Sequence, residues 1–169
     1  MKNKILLLVL LIISLIVNAQ TKIKTKADKD TKAWKYEIEC ISTNTSGTYL
    51  VKVWSYSKSK QIAIEQAKKN AIHGVIFRGL SGEAGCSQKP LANSVSLEIE
   101  KEEFFKAFFA DGGRYMKFVT FTGDGNVSED EIIKVGKEYK IGVVVSVQKD
   151  EIRRDLEEAG VLEGLNSGF

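Results

Sequence analysis

The chain has 169 residues, 28% of them charged and 43% hydrophobic, with one proline and a formal net charge of +3. That composition excludes a disordered tail, a collagen-like repeat and a polytopic membrane protein. A charge this small is too weak to indicate a nucleic-acid binder without a clustered patch. The length fits a single domain, which buries about two-thirds of its unfolded surface and needs no metal to fold.

Residues 1–20 read MKNKILLLVLLIISLIVNAQ. Lys2 and Lys4 precede an apolar run over residues 5–17, broken only by Ser14, and Val17-Asn18-Ala19 ends it on a small residue. This is the pattern of a secretory signal peptide over residues 1–19, cleaved after Ala19. The apolar run is too short for a retained anchor, since a spanning helix needs about 20 residues. No cysteine lies near the cut to carry a lipid. Cleavage removes Lys2 and Lys4 and takes the net charge from +3 to +1.

Residues 20–33 hold Lys22, Lys24, Lys26, Lys29 and Lys32 and almost nothing apolar. Asp28 and Asp30 dilute the charge, so a solvated tether is favoured over an arm that touches anionic lipid or wall polymer. Residues 34–169 are expected to form one α+β domain.

From Trp34 the pattern alternates with period two: Trp34, Tyr36, Ile38 and Cys40 share one face, and Lys35, Glu37 and Glu39 the other. A strand is expected there, and a second over residues 48–56, joined as an antiparallel hairpin. Ile64, Ala67, Ala71, Ile72, Val75 and Ile76 then form a stripe along a helix over residues 59–80. A glycine-punctuated loop, residues 81–94, carries Cys86 and Pro90. A second helix is expected over residues 96–110, with Glu98, Glu100, Glu102 and Glu103 near its positive end.

Residues 114–122 read as a third strand, with a short extended piece over residues 132–135. Residues 138–148, EYKIGVVVSVQ, are the strongest strand, and Val144 on its second face suggests a central position. Asp150 can cap a last helix that stops at Gly160. The expected order is strand-strand-helix-helix-strand-strand-helix. Four antiparallel strands, possibly five, would be packed by two to three helices.

The run Ala63-x-x-x-Ala67-x-x-x-Ala71, continuing as IHGVIFRGL after a hairpin, and YKIGVVVSV before a short terminal helix resemble a known group. They look like small envelope proteins related to the amino-terminal domain of the translocation protein TolB and to the lipoprotein LpoB. The signal ending in Ala-Gln and the lysine-rich start also resemble exported proteins of Bacteroidota. The resemblance covers roughly residues 34–160 and implies a partner-binding module of the cell envelope. It implies no catalytic residues.

Cys40 and Cys86 are the two cysteines. In an oxidising compartment they are expected to pair, the alternative being two free thiols. His73 is the sole histidine. By helical angle it falls away from the apolar stripe, so a surface or boundary position is expected instead of a catalytic or metal site. The glutamates 98, 100, 102 and 103 read as a solvated helix start before an acid/base pair. Residues 124–135 depart from a calcium loop, with Glu129 at its glycine position and Val135 at its bidentate glutamate. Gly79, Gly82 and Gly85 end a helix instead of opening one, which removes the phosphate-cradling reading.

Phe104 with Phe108, and Phe105 with Phe109, form two rows about 100° apart on the second helix. One row can fill the core while the other meets a partner. Phe105 and Phe109, with the loop around Gly82 and Pro90, are the expected contact residues. The expectation is an exported, non-enzymatic envelope protein that binds another envelope protein and carries no cofactor or metal. The alternatives are a periplasmic hydrolase of wall polymer or glycan, working through carboxylates, and a small-ligand binder.

Overall fold

The computed structural model describes residues 34–44, 47–83, 85–94 and 96–164. The expected signal peptide and lysine-rich tether lie outside the described residues.

Alternation of apolar and polar side chains makes β1 (Tyr36–Thr43) and β2 (Thr48–Ser57) strands with one buried face, paired antiparallel. The first strand begins at Tyr36, not Trp34, because Trp34 takes a left-handed backbone with φ 44°. Next comes α1 (Lys60–His73). Ala63, Ala67 and Ala71 are fully buried along it, and such small side chains let the helix lie close against β2 and the last strand. The helix does not run to residue 80. It widens at Gly74 into a π-helical turn, Gly74–Arg78. Gly79 follows at φ 78°, where a Cβ would stand 2.5 Å from the Gln88 carbonyl oxygen, so only glycine fits.

β3 (Ser81–Gly82) is two residues long and parallel to β1. The helix expected over residues 96–110 breaks at Lys101 (φ −113°, ψ 31°) into α2 (Leu97–Glu100) and α3 (Glu102–Phe108). The strand expected over residues 114–122 is mostly a 3-10 turn, Arg114–Phe118, followed by β4 (Val119–Phe121). Tyr115 and Phe118 are both buried, and three-residue spacing puts two side chains on one side only in a helical turn. β5 (Ile132–Val135) and β6 (Glu138–Gln148) form a hairpin around Gly136-Lys137. α4 (Lys149–Glu158) closes the fold; Asp150 lies in its first turn and does not cap it. The Val161 N–H reaches back to the Leu156 carbonyl at 2.9 Å as the chain leaves the helix at Gly160.

The fold is α+β, with a six-stranded, mostly antiparallel sheet in the order β3-β1-β2-β6-β4, β5 also pairing with β6. Four α-helices are present among the described residues. The strand count exceeds expectation because β3, at two residues, is too short to leave a periodic trace, and the helix count because the helix expected over residues 96–110 is split at Lys101. β6 is central, with β2 on one side and β4 and β5 on the other. Val51, Val53, Ile141, Val143, Val145 and Val147 on the inner face join the buried side chains of the helices in one core. The α-helix α1 packs on this inner side, against β2 and β6, while on the outer face the 3-10 turn Glu129–Glu131 reaches Lys52 through Glu131.

Cys40 and Cys86 are disulfide-bonded, with Cα atoms 5.7 Å apart and a sequence separation of 46. The bond ties β1 to the loop after β3, and closing a loop of that size contributes about 4 kcal/mol in the chain-entropy view. No described helix is long and apolar enough to cross a membrane.

Candidate functional site

The expected contact residues do not come together on a surface. Phe105 and Phe109 are 3% and 7% exposed and belong to the core, which corrects their placement in an outward row. Elements on both sides of α3 cause this. Phe105 meets Phe77 at 5.0 Å, Phe109 meets Trp34 at 5.2 Å and Tyr115 at 5.9 Å, and Phe108 stacks on Phe118 at 6.3 Å. Phe104 alone of the four remains half-buried. Gly82 is exposed and Pro90 half-buried. Their loop is braced by the disulfide, by the Leu80–Gln88 bridge and by Ser87 Oγ, which donates to the Gly82 carbonyl at 2.9 Å.

His73 is the larger correction. It is 3% exposed, not a surface residue, and lies at the centre of a polar and aromatic cluster. Tyr36 Oη stands 2.7 Å from its Nδ1, and Glu98 Oε2 stands 3.3 Å from its Nε2. The Trp34 indole stacks on the imidazole at 3.6 Å and 21°, while its Nε1–H donates to Glu98 Oε1 at 2.9 Å. Phe77 and Phe109 close the sides at 4.8 and 6.0 Å. Arg78, placed by the π-helical turn, donates to the Trp34 carbonyl at 2.7 Å and the Tyr36 carbonyl at 3.2 Å, and covers the Tyr36 ring at 4.1 Å.

The protonation pattern follows from these partners. Burial, aided by the Arg78 charge, lowers the His73 pKa to about 3. The 3.3 Å contact with Glu98 could be an ion pair, but an imidazole this hard to protonate makes it a hydrogen bond. A carboxylate only accepts, so the tautomer that satisfies both sides carries its proton on Nε2 and accepts from Tyr36 at Nδ1. Burial raises the Glu98 carboxyl, partly offset by the Trp34 N–H and by Arg78. Burial also pushes the Tyr36 phenol well above its ordinary value.

The cluster continues along α1. Gln66, Lys69, Asn70 and His73 are all buried. Asn70 Nδ2 donates to Ser55 Oγ on β2 at 2.9 Å, and its Oδ1 finds no partner. Burial lowers the Lys69 ammonium to about 8. The spacing of these polar residues along the helix is the one trace they leave in the sequence. Alone it describes a wet helix face.

A second arrangement occupies the outer face of the sheet. The registers place Ile133, Lys140 and Tyr56 in one row, Gly142, Trp54 and Glu37 in the next, and Val144, Lys52 and Glu39 in a third. Trp54 and Tyr56 are half-buried and lie outside the main core. The six-membered ring of Trp54 rests against Gly142, where a Cβ would come within 2.9 Å of it. The ammonium groups of Lys52 and Lys140 stand 5.0 and 5.1 Å from the Trp54 ring. Lys140 also reaches Glu37 at 2.8 Å, Tyr56 Oη donates to Glu37 Oε1 at 2.5 Å, and Lys52 pairs with Glu131. The exposed side chains Ile41, Ile133 and Val135 lie along the edges of this face.

Neither arrangement is an acid/base pair. Glu98, whose pKa is raised, and Glu37, whose pKa is lowered by Lys140 and Tyr56, lie on opposite faces of the sheet. Glu100, Glu102 and Glu103 are exposed. Among the described residues no three His, Cys, Asp or Glu side chains are grouped to hold a metal ion. Comparison with protein-family models, with curated proteins and with solved structures found no match.

Proposed function

We propose that this is an exported, non-enzymatic protein of the cell envelope that binds a partner protein through the outer face of its sheet. The observation that carries the reading is the one-sided sheet. Helices cover the inner face, while the outer face presents Trp54 and Tyr56 among charged side chains and is flanked by exposed Ile41, Ile133 and Val135. Aromatic side chains with a polar surround are the chemistry of interface hot spots. There Lys52 is paired with Glu131 and Lys140 with Glu37. Such pairs are worth little to stability at a surface, about 0–1 kcal/mol each, and can be exchanged for a partner's groups.

Export is supported by the signal-like residues 1–19 and by the disulfide, which persists in oxidising compartments. The periplasm is the proposed location, with residues 20–33 as a tether. The resemblance to envelope proteins of the TolB and LpoB type agrees with this function. The surface assigned to it moves from Phe105 and Phe109 to Trp54 and Tyr56. A hydrolase acting through carboxylates is disfavoured because the two perturbed glutamates do not converge.

The test is site-specific crosslinking in intact envelopes from positions 54 and 56 and from Lys106, an exposed site on α3. The reading predicts one reproducible protein adduct from positions 54 and 56, none from 106, and loss of the complex on Trp54→Ser without loss of folding. Equal adducts from all three positions, or none from the sheet face, would remove it.

A further inference from the structure

The inner side of the sheet holds a site that is independent of the outer-face reading. The indole of Trp34 fills a pocket whose walls come from other elements: the imidazole of His73 from α1, the ring of Phe109 after α3, and the carboxylate of Glu98 from α2. We propose that this pocket is a receptor for a tryptophan side chain presented by a partner polypeptide, with Trp34 as its resident and displaceable occupant.

The walls are fixed without Trp34. Tyr36 holds the imidazole through Nδ1, and Phe109 is packed against Phe105, Phe108 and Tyr115. The pocket is therefore formed in advance, and a pre-formed site spares a ligand the cost of ordering it. Its chemistry selects an indole. A flat ring can stack on His73 and set its edge against Phe109, but only a ring that carries a donor, as the indole N–H does, can satisfy Glu98 Oε1. Phenylalanine would leave that partly buried oxygen without its donor, the kind of loss by which hydrogen-bonding sites reject close analogues.

The resident is also the residue best able to leave. Trp34 is the one non-glycine residue with positive φ among the described residues, a conformation unfavourable for a bulky side chain. It is half-exposed, and it lies before the first paired residue of β1, Tyr36. Rotation of its side chain breaks no strand pairing. Arg78 grips the carbonyls of residues 34 and 36, not the indole, so it does not hold the ring in its place. Around the pocket the titratable and charged groups are Tyr36 from β1, Arg78 from the π-helical turn and Glu98 from α2. Glu98 is the group that accepts the indole N–H.

The test uses the mature chain and two probes, N-acetyltryptophanamide and N-acetylphenylalaninamide. His73 is the sole histidine, so its imidazole NMR signals report the pocket without ambiguity. Trp34→Ala should bind the tryptophan amide at least tenfold more tightly than the wild type does, because the competitor is gone. It should also prefer it at least tenfold over the phenylalanine amide, and Glu98→Ala in the same background should erase that preference. The wild type should show the same His73 shift at higher probe concentration. This arm decides the matter if Trp34→Ala fails to fold. No His73 shift with either amide, or equal binding of both that Glu98→Ala leaves unchanged, would make Trp34 a plug of the core and overturn the proposal.

Discussion

Acidification should destabilise the protein through His73, and the size of the effect can be worked out. Unfolded, the imidazole titrates at its ordinary value of 6.5; folded, burial and Arg78 lower it to about 3. Between those values the unfolded chain binds a proton that the folded chain refuses. The stabilisation is therefore complete above 6.5 and is lost as the pH falls towards 3, by up to about 1.4 kcal/mol per pH unit. From about pH 7.5 to about pH 5 the loss is roughly 2 kcal/mol. Glu98 acts in the opposite sense, since a raised carboxyl takes up its proton earlier in the folded state, and this trims the loss towards the lower end. The assay is urea denaturation across that range for the wild type and for His73→Gln. The variant should be about 1–3 kcal/mol less stable at pH 7.5, because Tyr36 and Glu98 lose their partner. It should also show a pH dependence shallower by roughly 2 kcal/mol over the interval. Parallel curves for the two proteins would refute the buried, neutral histidine.

Further outcomes follow from the geometry. Cys40→Ser should lower stability by on the order of 4 kcal/mol by denaturation under non-reducing conditions, and a loss under 1 kcal/mol would contradict a bond that closes this loop. Gly79→Ala meets both a positive φ and the Gln88 carbonyl, so it should cost more than Gly85→Ala, which has positive φ but open space around it. Thermal melts of the two variants give the order directly. Gly142→Ala should shift the Trp54 emission while changing stability by less than about 1 kcal/mol, because what stands in the way is a side-chain ring and not backbone.

Much of this fold can be read from local pattern. Period-two alternation locates β1, β2 and β6, and the alanine stripe of α1 faces the sheet as its spacing demands. The disulfide was an expectation from cysteine count and compartment, and its two ends meet where the parallel strand β3 reaches β1. The rest depended on partners distant in the chain. His73 lies on what its own helix presents as a polar edge. Trp34 and Glu98, separated by 64 residues, meet over it and make that edge an interior. The phenylalanines of α3 have two rows because both sides of that helix are covered, which no helical angle can show. The outer-face aromatics were harder still. Trp54 and Tyr56 share a face with Lys52, and only the register with β6 and β1 brings Lys140, Gly142 and Glu37 beside them.

The central claim is that the uncovered face of the sheet is where this protein meets another. A photoreactive residue at position 54, read against one at position 106, tests it most directly in the envelope of the native cell. The account predicts a single protein adduct from position 54, near-equal in amount across preparations, and nothing at position 106. An adduct pattern that does not distinguish the sheet face from α3, or a protein recovered alone from position 54, would contradict it.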